Sequence, residues 1–72
     1  MQSYDEAVEQ YKQYLTAFPD DANAYRNLGL VYKKMNNNDL ALFNFEKSYS
    51  ITFFLNSKNS LLSKITPTNN NL

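Results

Sequence analysis

The stretch LGLVYKKMNNNDLALFNFEKS, residues 28–48, decides the fold that the sequence predicts. It places Gly29 inside a run whose apolar residues recur every three or four positions, a spacing typical of an amphipathic helix. Three consecutive asparagines, Asn36, Asn37 and Asn38, then interrupt the run. Asn36 can adopt the left-handed conformation that ends a helix, and Asn37 can cap the next one. The stretch therefore predicts two helices joined by a tight turn.

Upstream of this stretch, the same helical spacing predicts a first helix over residues 4–18. Ser3 and Glu6 form a capping box at its start, because each side chain can bond to the backbone N–H of the other. Pro19 ends the helix, since proline cannot donate the backbone hydrogen bond that would continue it.

The second helix is predicted over residues 22–35, with the carboxylate of Asp21 as its N-terminal cap. The third helix begins near Asn38, but the sequence leaves its end open. Residues 51–65 either continue it or break from it and fold back as a short capping helix. Pro67 closes this segment, and the residues after it lack an apolar pattern.

Residues at core spacing on the three helices should pack together. In chain order they are Tyr4, Ala7, Val8, Tyr11, Leu15, Phe18, Ala22, Tyr25, Leu28, Tyr32, Met35, Ala41, Leu42, Phe45, Ser48 and Tyr49. This spacing explains most of the aromatic residues as packing residues instead of a stacking platform for bases or cofactors.

Composition excludes several classes of function. The 72 residues include seven basic and seven acidic side chains and neither cysteine nor histidine. Zero net charge argues against a nucleic-acid partner, and the missing thiols and imidazoles remove disulfides and the commonest catalytic and metal-binding groups. We expect no enzyme activity, no metal and no cofactor. Because no apolar run is long enough to span a bilayer and no signal peptide is evident, we expect no membrane partner and a cytoplasmic location.

The chain also resembles itself at a fixed interval. Ala7 and Ala41 lie 34 positions apart, as do Tyr11 and Phe45. Self-similarity at this period indicates stacked helical hairpins. The first and third helices should therefore occupy equivalent positions in successive repeat units, with the second helix packed between them.

These residues resemble the tetratricopeptide repeat (TPR) family. Small and large residues of residues 22–55 fall in the family's register, and YDEAVEQY followed by Pro19 is similar to the second helix of a preceding repeat. The matching residues of the full repeat are Tyr25, Leu28, Gly29, Tyr32, Ala41 and Phe45. The resemblance implies an all-α fold of antiparallel helical hairpins, stacked as a short right-handed solenoid, that works as a protein-interaction scaffold.

The predicted organisation has three parts. Residues 1–55 form the TPR-like stack, residues 56–66 form a C-terminal capping or dimerising helix, and residues 67–72 form a flexible tail. Within the stack, two helices can approach closely only where one lacks a side chain. We therefore expect Gly29 to have Tyr32 and Phe45 as neighbours, with Ala41 as its counterpart on the facing helix.

The resemblance also implies a partner-binding site, because first helices of TPR repeats line a concave face. The corresponding residues here are Asn23, Arg26, Asn27, Leu30, Lys33 and Lys34. Their cations and amides suit an extended peptide with acidic groups, or a partner helix. The alternative is that this stripe is simply a solvated helix face.

A second prediction concerns the apolar end of the chain. Residues 51–65 carry more apolar side chains than the packing of three helices needs. This segment therefore either caps the stack or contacts another chain. An uninterrupted third helix would favour a homodimer, in which the protein is an oligomerisation or assembly element. The residues of that contact would be Phe53, Phe54, Leu55, Leu61, Leu62 and Ile65.

Overall fold

The computed structural model describes the backbone of residues 3–65 and the side chains of residues 3–59. It contains three helices, α1 (Tyr4–Ala17), α2 (Ala22–Lys34) and α3 (Asn38–Ile65). Within the described residues, α2 packs against both α1 and α3. This arrangement confirms the all-α stack of helical hairpins, and α1 and α2 end within one residue of their predicted limits.

Local capping explains where α1 begins and ends. The Ser3 side chain accepts a hydrogen bond from the backbone N–H of Glu6 at 3.4 Å, as the capping box predicts. At the other end Phe18 is the C-cap, and its N–H still donates to the Tyr14 carbonyl before Pro19 stops the helix. Both ends of α1 are thus determined by residues adjacent in sequence.

The asparagine triplet forms the predicted turn between α2 and α3. Asn36 has a φ of 63°, the left-handed conformation that asparagine tolerates better than most residues. The Oδ1 atom of Asn37 accepts a hydrogen bond from the backbone N–H of Leu40 at 3.2 Å and so caps α3. The prediction for this turn is confirmed.

The core lies along both sides of α2. Tyr11, Tyr25, Met35 and Phe45 are half-buried and pack against it. The buried apolar residues are Ala7, Val8, Leu15, Ala24, Leu28, Tyr32 and Ala41.

Four residues that we predicted to lie in the core are exposed, so this part of the prediction is wrong. Tyr4 and Phe18 lie at the two ends of α1, and the Phe18 ring stacks on Tyr14, at 4.8 Å between centroids. Leu42 and Tyr49 lie on a side of α3 that α2 does not cover. Leu42 directly follows the buried Ala41, and Tyr49 directly follows the buried Ser48. One position along a helix turns the side chain by about 100° around the helix axis.

Gly29 lies where α2 packs against Phe45 and Ala41 of α3. A methyl group built on Gly29 would lie 2.7 Å from Cε1 of Phe45 and 3.1 Å from the carbonyl oxygen of Ala41. The predicted pairing of Gly29 with these two residues is confirmed. The missing side chain is what lets the two helices pack together here.

The end of α3 settles one alternative that the sequence left open. Residues 51–65 continue α3 without a break, so they do not fold back as a separate capping helix. Phe53, Phe54 and Leu55 are exposed on this extension. The division of the chain at residue 55 stays a prediction, and the predicted tail lies outside the described residues.

Candidate functional site

The candidate site is the face of α2 that points away from the core. Leu28 and Tyr32 lie on the inner side of this helix and are buried. The six predicted partner-binding residues lie on the outer side, and all are exposed except Asn27, which is half-buried. The helix therefore presents them to solvent, as a binding face requires.

The structure places four of these six residues along two grooves. Arg26 and Leu30 line a cavity of about 220 Å³ between α2 and α3. We call it the basic groove, and its lining residues are Arg26, Leu30, Phe45, Ser48 and Tyr49.

On the other side of α2, Asn23 and Asn27 line a cavity of about 380 Å³ between α1 and α2. We call it the acidic groove, because Asp21 supplies a carboxylate to its lining. Its lining residues are Ala7, Gln10, Tyr11, Tyr14, Asp21, Asn23, Ala24 and Asn27. Lys33 and Lys34 line neither groove, so the predicted stripe is a ridge with a groove on each side.

A hydrogen bond links the two helices at the acidic groove. The Tyr14 hydroxyl donates to Oδ2 of Asp21 at 2.5 Å, while Oδ1 of Asp21 accepts from the backbone N–H of Ala24 at 3.2 Å. The bond from Tyr14, followed by that from Ala24, lowers the pKa of Asp21. The same bond to the carboxylate raises the pKa of Tyr14. Asp21 thus caps α2 and ties α1 to it.

This hydrogen bond predicts a pH dependence of stability. Because the folded pKa of Asp21 is depressed, its stabilisation is present above the unfolded pKa and is lost as pH falls through the folded pKa. We expect the Tyr14→Phe variant to lose less stability on acidification than the parent chain. Urea unfolding followed by circular dichroism between neutral and strongly acidic pH measures this difference. Equal acid sensitivity in the two proteins would contradict the assignment.

Residues 3–59 supply polar and aromatic groups along the two grooves. Among them no group of three or more metal-ligating side chains comes together. No helix in the described part of the chain is long and apolar enough to cross a membrane. The two grooves supply hydrogen-bonding amides, a guanidinium, a carboxylate and aromatic rings.

Sequence reasoning missed part of the groove lining. Gln10 and Tyr14 are not among the predicted site residues, yet both line the acidic groove. Tyr49 was assigned to the core but lines the basic groove. The 34-residue repeat could have indicated these wall residues. Comparing equivalent positions on α1 and α3 shows which helix faces no other helix covers in the described chain.

The comparisons agree with this architecture. A family model described as TPR repeat matches residues 1–36, and one described as tetratricopeptide repeat matches residues 22–53. Curated proteins and solved structures give no match. TPR repeats generally mediate protein–protein interaction, and they are typically scaffolds without catalytic activity. Given the two family matches and the stacked hairpins, the chain belongs to the tetratricopeptide repeat family.

Proposed function

We propose that the protein is an interaction module without chemistry of its own, which binds an extended acidic peptide or a partner helix across the outer face of α2. The observation that carries this proposal is the placement of Arg26 and Leu30 in one groove and Asn23 and Asn27 in the other. A peptide that crosses α2 would meet all four residues.

Each side of α2 contributes a different kind of contact. An asparagine amide both donates and accepts, so Asn23 and Asn27 can pair with the backbone of a bound peptide. The Arg26 guanidinium can hold a carboxylate through two parallel hydrogen bonds. Lys33 and Lys34 are exposed on the same face and add attraction for acidic groups. Leu30, at the centre, supplies the apolar contact.

Charge reversal tests this proposal. We expect the 72-residue chain to bind an array of short glutamate-containing peptides more tightly than the same array with glutamine. The double variant Arg26→Glu/Lys33→Glu should bind the glutamate array about tenfold more weakly, which corresponds to about 1.4 kcal/mol. Fluorescence anisotropy with labelled peptides measures both affinities.

A matched control keeps the net charge change but moves it elsewhere. Lys12 and Lys58 are exposed and lie on α1 and on the α3 extension. The variant Lys12→Glu/Lys58→Glu should retain most of the binding. Equal losses in the two double variants, or equal binding of the two arrays, would argue against a site on α2.

The second candidate function is assembly through the end of α3. The observation in its favour is that α3 continues to Ile65 with Phe53 and Phe54 largely exposed, at 73% and 63%. In this proposal two copies pair through the same apolar surface on each. Leu61, Leu62 and Ile65, the other predicted members, have side chains outside the described set. Sedimentation of Phe53→Glu/Phe54→Glu tests it, and an unchanged oligomeric state would reject it.

A further inference from the structure

Another groove lies on the side of α2 opposite the candidate site. It has a volume of about 420 Å³, and residues of all three helices line it. Leu28 and Tyr32 are its buried lining residues on α2. Leu30, on the outer face, is two positions from each of them, which is about 200° around the helix. We call this cavity the rear groove, and it shares no lining residue with the basic groove or the acidic groove.

The rear groove has a buried apolar floor and an exposed apolar rim. The floor consists of Leu15, Leu28 and Tyr32, which all belong to the core. Leu40 and Phe43 of α3 line the same groove but are 40% and 60% exposed. An apolar side chain that enters the groove would therefore remove both rim residues from water, which favours binding.

The internal repeat shows that helix packing does not require apolar residues at this rim. The residues 34 positions before Leu40 and Phe43 are Glu6 and Glu9, and both are exposed on α1. At these positions α3 thus exposes apolar side chains where α1 exposes carboxylates. Exposed apolar side chains that line a groove are typical of binding sites.

Two lysines give the rear groove a positive charge. Lys12 of α1 lines it, and no carboxylate is among the described residues of its lining. Lys47 of α3 lies beside it, with Nζ 5.8 Å from the centroid of the Tyr25 ring, and Tyr25 is also a lining residue. The face of the ring attracts a cation at this distance and so favours this position of Lys47. The charge of the groove therefore complements an acidic partner.

We propose that the rear groove binds a short amphipathic helix of an acidic partner protein. Leu40, Phe43 and Lys47 are spaced three and four positions apart, so they form one stripe along about two turns of α3. A helix that lies along this stripe would direct apolar residues of the same spacing into the groove. Its carboxylates would approach Lys12 on one wall and Lys47 on the other.

This site goes beyond the peptide site proposed for the outer face of α2. The two sites lie on opposite sides of that helix and share no lining residue, so either can fail while the other holds. If both are occupied, the protein joins two partners, one on each side of α2. This last step also rests on the proposed function.

The first test measures the binding of a designed helical peptide to the 72-residue chain by fluorescence anisotropy. The labelled peptide carries leucine at every third or fourth position and glutamate between the leucines. One control peptide has glutamine in place of glutamate, and the other has serine in place of leucine. Each control should bind about tenfold more weakly, equivalent to about 1.4 kcal/mol. Added salt should weaken the binding of the leucine–glutamate peptide.

A matched pair of variants tests the rim of the groove. Leu40→Ala should weaken binding of the leucine–glutamate peptide several-fold, and Phe43→Ala should weaken it about tenfold. Leu42→Ala deletes the same atoms as Leu40→Ala from an exposed leucine that does not line the groove, so it should bind as the parent does. Lys12→Glu/Lys47→Glu should also lose about tenfold in affinity. Circular dichroism shows whether each variant keeps the helical content of the parent.

Amide signals in NMR spectra of the unmodified chain locate the bound peptide without any substitution. We expect the largest shifts in residues 12–16 and 40–47. Equal binding of the three peptides would overturn the proposal, as would equal losses in Leu40→Ala and Leu42→Ala. Shifts centred on Arg26 and Leu30 would also overturn it, because they would place the peptide on the outer face of α2 and support the proposed function instead.

Discussion

Replacing Leu28 with alanine should lower the free energy of unfolding by about 2–4 kcal/mol, one of the largest losses that a single core truncation causes in this chain. Leu28 is 4% exposed and belongs to the core that joins α2 to both neighbouring helices. Removal of its side chain leaves a cavity that the short helices can fill only by shifting. A domain of this length has a total stability of about 4–11 kcal/mol, so the loss is a large share of it.

Equilibrium urea unfolding followed by circular dichroism measures this loss. Leu42→Ala is the matched control, because it deletes the same atoms from a leucine that is exposed. Its effect should stay within about 0.5 kcal/mol. If the two variants lost similar stability, Leu28 would not be the centre of the core.

The helix limits could be predicted because the groups that set them are adjacent in sequence. Ser3 bonds to a residue three positions away, and Asn37 does the same at the start of α3. Asn36 needs no distant partner to adopt its left-handed conformation. A capped turn can therefore be predicted from a single sequence, without knowledge of how the helices pack.

The burial of individual side chains was harder to predict. It depends on which helices pack against each side chain, and the local sequence pattern does not show this. Leu42 has the spacing of a core residue, yet the side of α3 on which it lies has no covering helix in the described chain. Asn44 is the opposite case, a polar residue that is 4% exposed. Its amide donates to the Leu40 carbonyl at 2.7 Å, and this bond within α3 reduces the cost of burying it. Hydrophobic periodicity cannot detect such a bond.

The candidate site shows the same limit. The family register identified the outward face of α2 correctly, since Arg26 and Leu30 are both exposed there. It could not show that this face is a ridge between two grooves, because α1 and α3 supply the groove walls. Tyr14 and Tyr49, one from each flanking helix, became visible as wall residues only in the assembled stack.

Replacing Gly29 with alanine should destabilise the protein even though alanine favours a helix. In an exposed helix interior, the change from glycine would stabilise by about 1 kcal/mol. Here the new methyl group would lie 2.7 Å from Cε1 and 2.8 Å from Cδ1 of Phe45. Overpacking of this kind costs about 1–3 kcal/mol, so we expect a net loss of up to about 2 kcal/mol.

A double-mutant cycle with Phe45→Leu identifies the cause of that loss. Phe45 is half-buried, and leucine in its place removes the ring carbon that lies closest to the new methyl group. In the Phe45→Leu background, Gly29→Ala should be close to neutral, with a coupling energy of about 1 kcal/mol or more in urea unfolding. An equal loss in both backgrounds would shift the cause to the Ala41 carbonyl oxygen, 3.1 Å from the same position. That oxygen belongs to the backbone of α3, so only a movement of the whole helix could relieve the contact.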